Sequence, residues 1–331
     1  VSGGKRRGIR KRWIVLVVLV ALGGLGLYLT WQQEQSYQAG HAAYLTADCA
    51  TAVGPLRSAA DGPGSKDNDV ALKAKSELQE CEALLAADSL ATQGKGGEAV
   101  LAFSDFITKY PQSPLNTAAL ANGQQAIASA PDQVATLGVC DALDAIEAQG
   151  FIAAPTDTLP PLLYACGQAY EAEKEYGEAL AAYARFRADY PDHGLAADVD
   201  AALARATLAE TDASGAGSLP PPQQTGQGTG AAGVATIVIQ NDSPDLLSMV
   251  FSGPDVRVEE LKACAGCVNY TGTGPDTCPD LGPIGEYIVA PGTYEVVVKS
   301  GSGSDVIPFR GTWTLEAGEG YDSCFYIVSA P

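Results

Sequence analysis

The chain has 331 residues, 20 Lys and Arg against 39 Asp and Glu, and a formal net charge of −19. That balance excludes a broad phosphate-binding face, so nucleic acid is not an expected partner. The length allows more than one domain with its own core.

Residues 1–12 hold six of the basic residues, within "KRRGIRKR", and no acid. The uncharged run "WIVLVVLVALGGLGLYLTW", 13–31, follows at once. As a helix it would be about 28 Å long, close to the hydrocarbon thickness of a bilayer. Trp13 and Trp31 stand at its ends, where headgroup-level aromatics belong. The expectation is a single transmembrane anchor over 13–31 with the basic tail cytoplasmic and the bulk of the chain extracytoplasmic. A cleaved signal peptide would need a shorter apolar region and a small-x-small site after it. The third alternative is a buried core helix. Beyond the basic tail the remaining 14 basic and 39 acidic residues leave −25, a charge that keeps such a domain soluble.

Residues 34–210 are rich in Ala, Leu, Glu and Gln and read as helical throughout. Within them "GEAVLAFSDFITKYPQSPL", 97–115, matches "GEALAAYARFRADYPDHGL", 177–195, at eight of nineteen positions with an offset of 80. Cys49 and Cys81 precede the first copy, and Cys140 and Cys166 precede the second. The duplication predicts one disulfide in each, Cys49–Cys81 and Cys140–Cys166. The chain here resembles the tetratricopeptide repeat family, built of 34-residue helix hairpins. Gly167, Tyr170, Ala179, Tyr183 and Pro191 fall at that family's small, aromatic and proline positions, while Phe186 replaces a small residue. The first copy keeps Ala99, Phe103 and Pro111 but has Ala87 and Leu90 where Gly167 and Tyr170 stand. The "F…YP" ending is similar to extracytoplasmic bacterial repeat proteins of the cell envelope. The resemblance implies a helical-repeat domain that binds protein partners.

Residues 211–233, "TDASGAGSLPPPQQTGQGTGAAG", read as a flexible linker, because Gly, Ser, Gln and Pro bury too little to offset ordering. Gly228, Gly230 and Gly233 spell G-x-G-x-x-G, but no strand precedes them and no helix follows, so no dinucleotide is expected. From 234 to 331 the period becomes two. "VATIVIQ", "LLSMVFS", "VRVEEL", "EYIVA", "TYEVVVK", "FRGTWTL" and "SCFYIVS" predict seven strands of an antiparallel β-sandwich. "APGTYEVVV", with Tyr294, Val296 and Val298 inward, resembles the closing hairpin of prealbumin-like and carboxypeptidase-regulatory-like sandwiches. Phe309 and Trp313 share one strand face.

Two histidines, His41 and His193, have no nucleophile or ligand set beside them, which excludes a histidine triad or zinc protease. Asp67 and Asp69 in "SKDNDVAL" lack the Gly and distal Glu of a calcium loop and are expected to cap a helix. Asn241 and Asn269 begin glycosylation triplets. The last four cysteines, Cys264, Cys267, Cys278 and Cys324, allow a zinc site, a redox C-x-x-C or structural disulfides. An extracytoplasmic position favours disulfides, and four cysteines permit three pairings. The expected whole is a multidomain, anchored, non-catalytic scaffold or adaptor with no metal or cofactor. The alternative is a sandwich that binds carbohydrate or cell-wall polymer, presented on a helical stalk.

Overall fold

The computed structural model describes residues 6–62, 68–228, 233–301 and 307–329. Side chains of 6–12, 14–22, 227 and 329 lie outside that description. The chain forms two compact units, 1–158 and 159–331.

In the first unit, helix α1 (Arg6–Leu45) runs through the basic tail and the apolar stretch without interruption. Its described apolar side chains Leu25, Leu27, Tyr28 and Trp31 are exposed. From Gln33 onward it buries one face, Gln33, Tyr37 and Tyr44, against α2 (Cys49–Asp61) and α3 (Asp69–Thr92). Among the described residues no helix is long and apolar enough to cross a membrane. The expected anchor at 13–31, and the single-pass location with a cytoplasmic N-terminus derived from it, are corrected accordingly. The helix continues past the apolar run without interruption, and from Gln33 onward its Gln and Tyr residues pack on neighbouring helices.

Asn68 caps α3 by accepting from the Ala71 amide at 2.8 Å. Asp69 supplies first-turn negative charge, and Asp67 lies outside the described residues. A disulfide joins Cys49 to Cys81 across α2 and α3. Helices α4 (Gly96–Lys109) and α5 (Asn116–Ser129) follow, then the short α6 (Pro131–Val134), α7 (Leu137–Asp141) and α8 (Leu143–Ala148). Phe103, Phe106, Leu115 and Ile127 fill this part of the core.

In the second unit, α9 (Pro155–Ala172), α10 (Tyr176–Asp189) and α11 (Ala196–Ser214) precede the sheets. The first sheet has the order β1-β9-β8-β4-β5 and the second β2-β10-β3-β7. Their ranges are β1 (Gly217–Ser218), β2 (Gln223–Gln227), β3 (Ala235–Asn241), β4 (Leu247–Ser252) and β5 (Val256–Leu261). Next come β6 (Tyr270–Thr271), β7 (Ile284–Val289), β8 (Gly292–Ser300), β9 (Phe309–Leu315), β10 (Glu319–Phe325) and β11 (Val328–Ser329). Alternating residues from both sheets meet in one core around Ile237, Phe251, Tyr294, Val296 and Trp313. Phe309 shares Trp313's face but stays half exposed at the strand end.

Three expectations need correction here. The sheets are not wholly antiparallel, since β10 runs parallel to β3 and β1 parallel to β9. The last strand begins at Glu319, four residues before "SCFYIVS", whose end leaves the sheet to pair with β6. The segment 211–228 is not a free linker: β1 pairs with β9, β2 pairs with β10, and Pro220 accepts the Trp313 indole N–H at 2.9 Å. Gly230 and the rest of 229–232 lie outside the described residues. Helix α11 itself packs against β4, β5 and β8. Val250 and Val297 alternate out of the sandwich core and are nevertheless buried, which fits a sheet face covered by that helix.

Candidate functional site

The two copies of the repeat place equivalent residues in equivalent helices. The first copy is α3–α4–α5 and the second α9–α10–α11. Their tight turns are the same construction. Ser113 Oγ accepts the Leu115 amide at 3.2 Å, and His193 Nδ1 accepts the Leu195 amide at 3.2 Å. His193 is thus the turn residue of its copy, and its ring sits edge-on to Phe186. His41 is 2.9 Å from Glu77 on α3, stacked with Tyr37.

In the second copy, α9 and α10 approach so closely that a Cβ on Gly167 would lie 2.2 Å from the Tyr183 ring. Ala179 and Phe186 are fully buried beside it, and Tyr170 nearly so. The buried Tyr183 hydroxyl donates to Glu171 at 2.5 Å, and Arg205 of α11 grips the same carboxylate with two bonds of 2.7 and 2.8 Å. Burial first, then this hydrogen bond, pushes the Tyr183 phenol far above its ordinary range. The triad is internal wiring that joins three helices.

In the first copy the positions 80 residues earlier are Ala91, Phe103 and Gln125. No ion pair can form between Ala91 and Gln125. Instead a cleft of about 420 Å³ opens between α3, α5 and α6. Asp88, Asn122, Gln125, Ser129 and Gln133 supply its polar lining. Asn122 donates to Asp88 at 2.7 Å across it, and the Ser129 hydroxyl donates to Ala126 O at 3.1 Å, which leaves the Gln125 and Gln133 amides as the uncommitted polar groups named in this lining. Helical spacing sets this up: Asn122, Gln125 and Ser129 lie at i, i+3 and i+7 on one stripe of α5.

The eight cysteines form no free thiol among the described residues. Cys140 in α7 and Cys166 in α9 are both buried and in disulfide form. In the sandwich Cys264 is bonded to Cys267 and Cys278 to Cys324. Both bonds converge on Asp242, which is 1% exposed. Its Oδ1 accepts the amides of Leu281 and Gly282 at 3.0 and 2.5 Å, and Oδ2 that of Asp280 at 2.9 Å. The Cys278 and Cys324 sulfurs lie 3.2 and 3.6 Å from Oδ2. Asp280 has φ +56, and a Cβ on Gly282 would meet the Asn241 carbonyl oxygen at 1.8 Å. The 280–282 amides are therefore folded around this carboxylate as a nest.

Sequence reasoning did not find Asp242; it appeared there only as the middle of a glycosylation triplet. Asn241 is fully buried, donates to the carbonyls of Asp245 and Lys262 at 2.9 Å each and accepts from the Ser243 amide and hydroxyl, so its side chain is closed to glycan attachment in the folded chain. Asn269 is exposed. Among the described residues, the large exposed apolar side chains of the sheet region are mostly aliphatic, with Phe309 and Tyr326 the aromatic ones. The stacked aromatic face a glycan would use is not among them.

No curated protein matches the chain. A tetratricopeptide repeat model matches residues 162–193, the α9–α10 hairpin and its turn. The chain therefore carries a repeat of the kind that mediates protein–protein interaction, joined to a two-sheet domain. Neither the envelope location nor the likeness to prealbumin-like sandwiches gains support from the comparisons.

Proposed function

We propose that this chain is a non-catalytic scaffold or adaptor that binds a protein partner in the cleft between α3 and α5. The observation that supports it most is the contrast between the copies. The second copy, which matches the repeat family, closes this helix face with Glu171 and Arg205; the first leaves it open with Ala91 and Gln125. The side-chain amides of Gln125 and Gln133 suit the main chain of an extended peptide, whose own N–H and C=O groups need partners on burial.

The test is to transplant the lock. Ala91→Glu with Gln125→Arg should close the cleft with a surface ion pair and leave the unfolding midpoint nearly unchanged. Full-length chain used as bait under native conditions should recover a partner that the double variant loses by at least tenfold. Identical recovery by both chains would refute the cleft as the binding surface.

A further inference from the structure

The reduced state of these cysteines has consequences of its own. Four sulfurs surround one buried carboxylate. Asp242, Cys264 and Cys267 place their ligand atoms within 4.8 Å of one another, and so do Asp242, Cys278 and Cys324. Among the described residues no cationic side chain reaches Asp242; its bonds come from the 280–282 amides and the Gln240 side chain.

We propose that the reduced sandwich holds a soft divalent cation, with zinc as the type case, between Asp242 and these thiolates. Cys278 and Cys324 stand nearest to Oδ2 and would supply two ligands, Asp242 the third, and a water the fourth. Thiolate sulfur selects such cations over magnesium or calcium, and zinc takes four ligands tetrahedrally. The site is held from several sides. Asp242 is fixed by its amide nest and by its own N–H to Phe325 O at 2.8 Å, and the Cys264 N–H donates to Ser243 O at 2.9 Å. Opening a disulfide by a phosphine and water gives two thiols and the phosphine oxide. The cation then replaces the thiol protons, which are released to solvent. The carboxylate that disfavours bare thiolates becomes favourable once a dication sits among them.

The experiment uses the full chain, reduced with a phosphine, stripped of metal and titrated anaerobically with cobalt(II). The expected result is one cobalt per chain, with sulfur-to-cobalt charge-transfer absorption and the visible bands of a tetrahedral ion, displaced by zinc. The oxidised chain should show neither. Asp242→Asn, nearly isosteric, and Cys278→Ser should each weaken uptake by at least tenfold, while Cys49→Ser with Cys81→Ser, outside the sandwich, should not. Release of protons on uptake gives a second readout independent of colour. A reduced chain that binds no cobalt, whether it stays folded or loses its β-sheet circular dichroism, overturns the proposal. Uptake that is indifferent to Asp242→Asn and Cys278→Ser overturns it equally.

Discussion

The two helical copies start from the same nineteen-residue pattern and solve the same packing problem in opposite ways. The first fills the space between α3 and α4 with Phe103, an apolar ring that asks for no partner. The second uses Tyr183, whose buried hydroxyl then demands Glu171, whose carboxylate in turn takes Arg205. One extra oxygen atom thus recruits a third helix. The second copy also lends the outer face of α11 to a sheet, whereas the first is packed among helices. A duplicated unit can diverge by changing what its last helix touches while its hairpin and turn stay fixed.

That difference sets the largest expected effect. Residues 234–331 produced alone lack α11, β1 and β2. Val250 and Val297 would be uncovered, and the edges of β9 and β10 would lose their partners. We expect this fragment to aggregate or unfold, while residues 155–331 with Cys166→Ser, which removes the thiol whose disulfide the truncation breaks, give a monomer with a single cooperative transition. A 234–331 fragment that unfolds cooperatively at the same midpoint as 155–331 would show that α11 only rests on the sheet.

The next test concerns the closeness of the helices. Gly167→Leu forces a branched side chain into the Tyr183 ring and should cost about 3 kcal/mol, the upper range for overpacking. Ala87→Gly, at the equivalent place in the first copy, should cost only about 1 kcal/mol through helix propensity. Urea unfolding of the full-length variants separates the two; equal losses would mean that the helices can move apart at no cost.

These positions also show what was legible beforehand. The duplication exposed Gly167, Tyr170, Ala179 and Tyr183 as a packing set, and the strand cores were visible because β3, β4 and β8 alternate apolar residues or run apolar throughout. Other features carried no such signal. Gly217–Ser218 and Gln223–Gln227 are strands with almost no apolar residue; neighbouring strands, and not their own composition, hold them. "FYIV" carried the apolar run of a final strand, yet β10 starts earlier at Glu319, where Gly320 lets the β2 backbone close in. The Asp242 hub depends on a loop 38 to 40 residues away turning its amides inward. No local pattern records that. The length, flanking tryptophans and basic tail of the apolar stretch 13–31 say nothing about the helix face that continues it.

A smaller effect distinguishes the two rings. Tyr183→Phe removes a buried hydroxyl and leaves Glu171 still paired with Arg205, so about 1 kcal/mol should be lost. Its pH dependence is more telling. The folded phenol is raised above its unfolded value near 10, so its contribution is complete below that pH and falls as pH rises beyond it. Tyr37, pushed up to about 12 by burial and then by the Glu77 hydrogen bond, adds to the same slope in the window from 10 to 12. Tyr183→Phe should therefore flatten the alkaline fall in melting temperature without abolishing it. An unchanged slope would mean that the phenol is solvated in the folded chain.

The smallest expected effect comes from the hairpin turns. Two residues past the end of α3 Gly94 has φ +77, and two past the end of α9 Lys174, its equivalent 80 residues on, has φ +65. The closing bonds are the same: the Lys95 amide reaches Leu90 O at 3.0 Å, and the Glu175 amide reaches Tyr170 O at 2.9 Å. The left-handed conformation is free of steric penalty for glycine but costs a side-chain-bearing residue about 1 kcal/mol. The second copy therefore stores strain that the first does not, at a turn whose hydrogen bonds fix its shape. Lys174→Gly should raise stability by roughly half to 1 kcal/mol, and Gly94→Lys should lower it by a similar amount, both read as shifts in urea midpoint at constant slope. Because Lys174 is exposed, lost contacts do not cloud the comparison. A destabilising Lys174→Gly would mean that the gain in unfolded-chain entropy outweighs the relief, and that the two turns are equivalent in shape but not in energy.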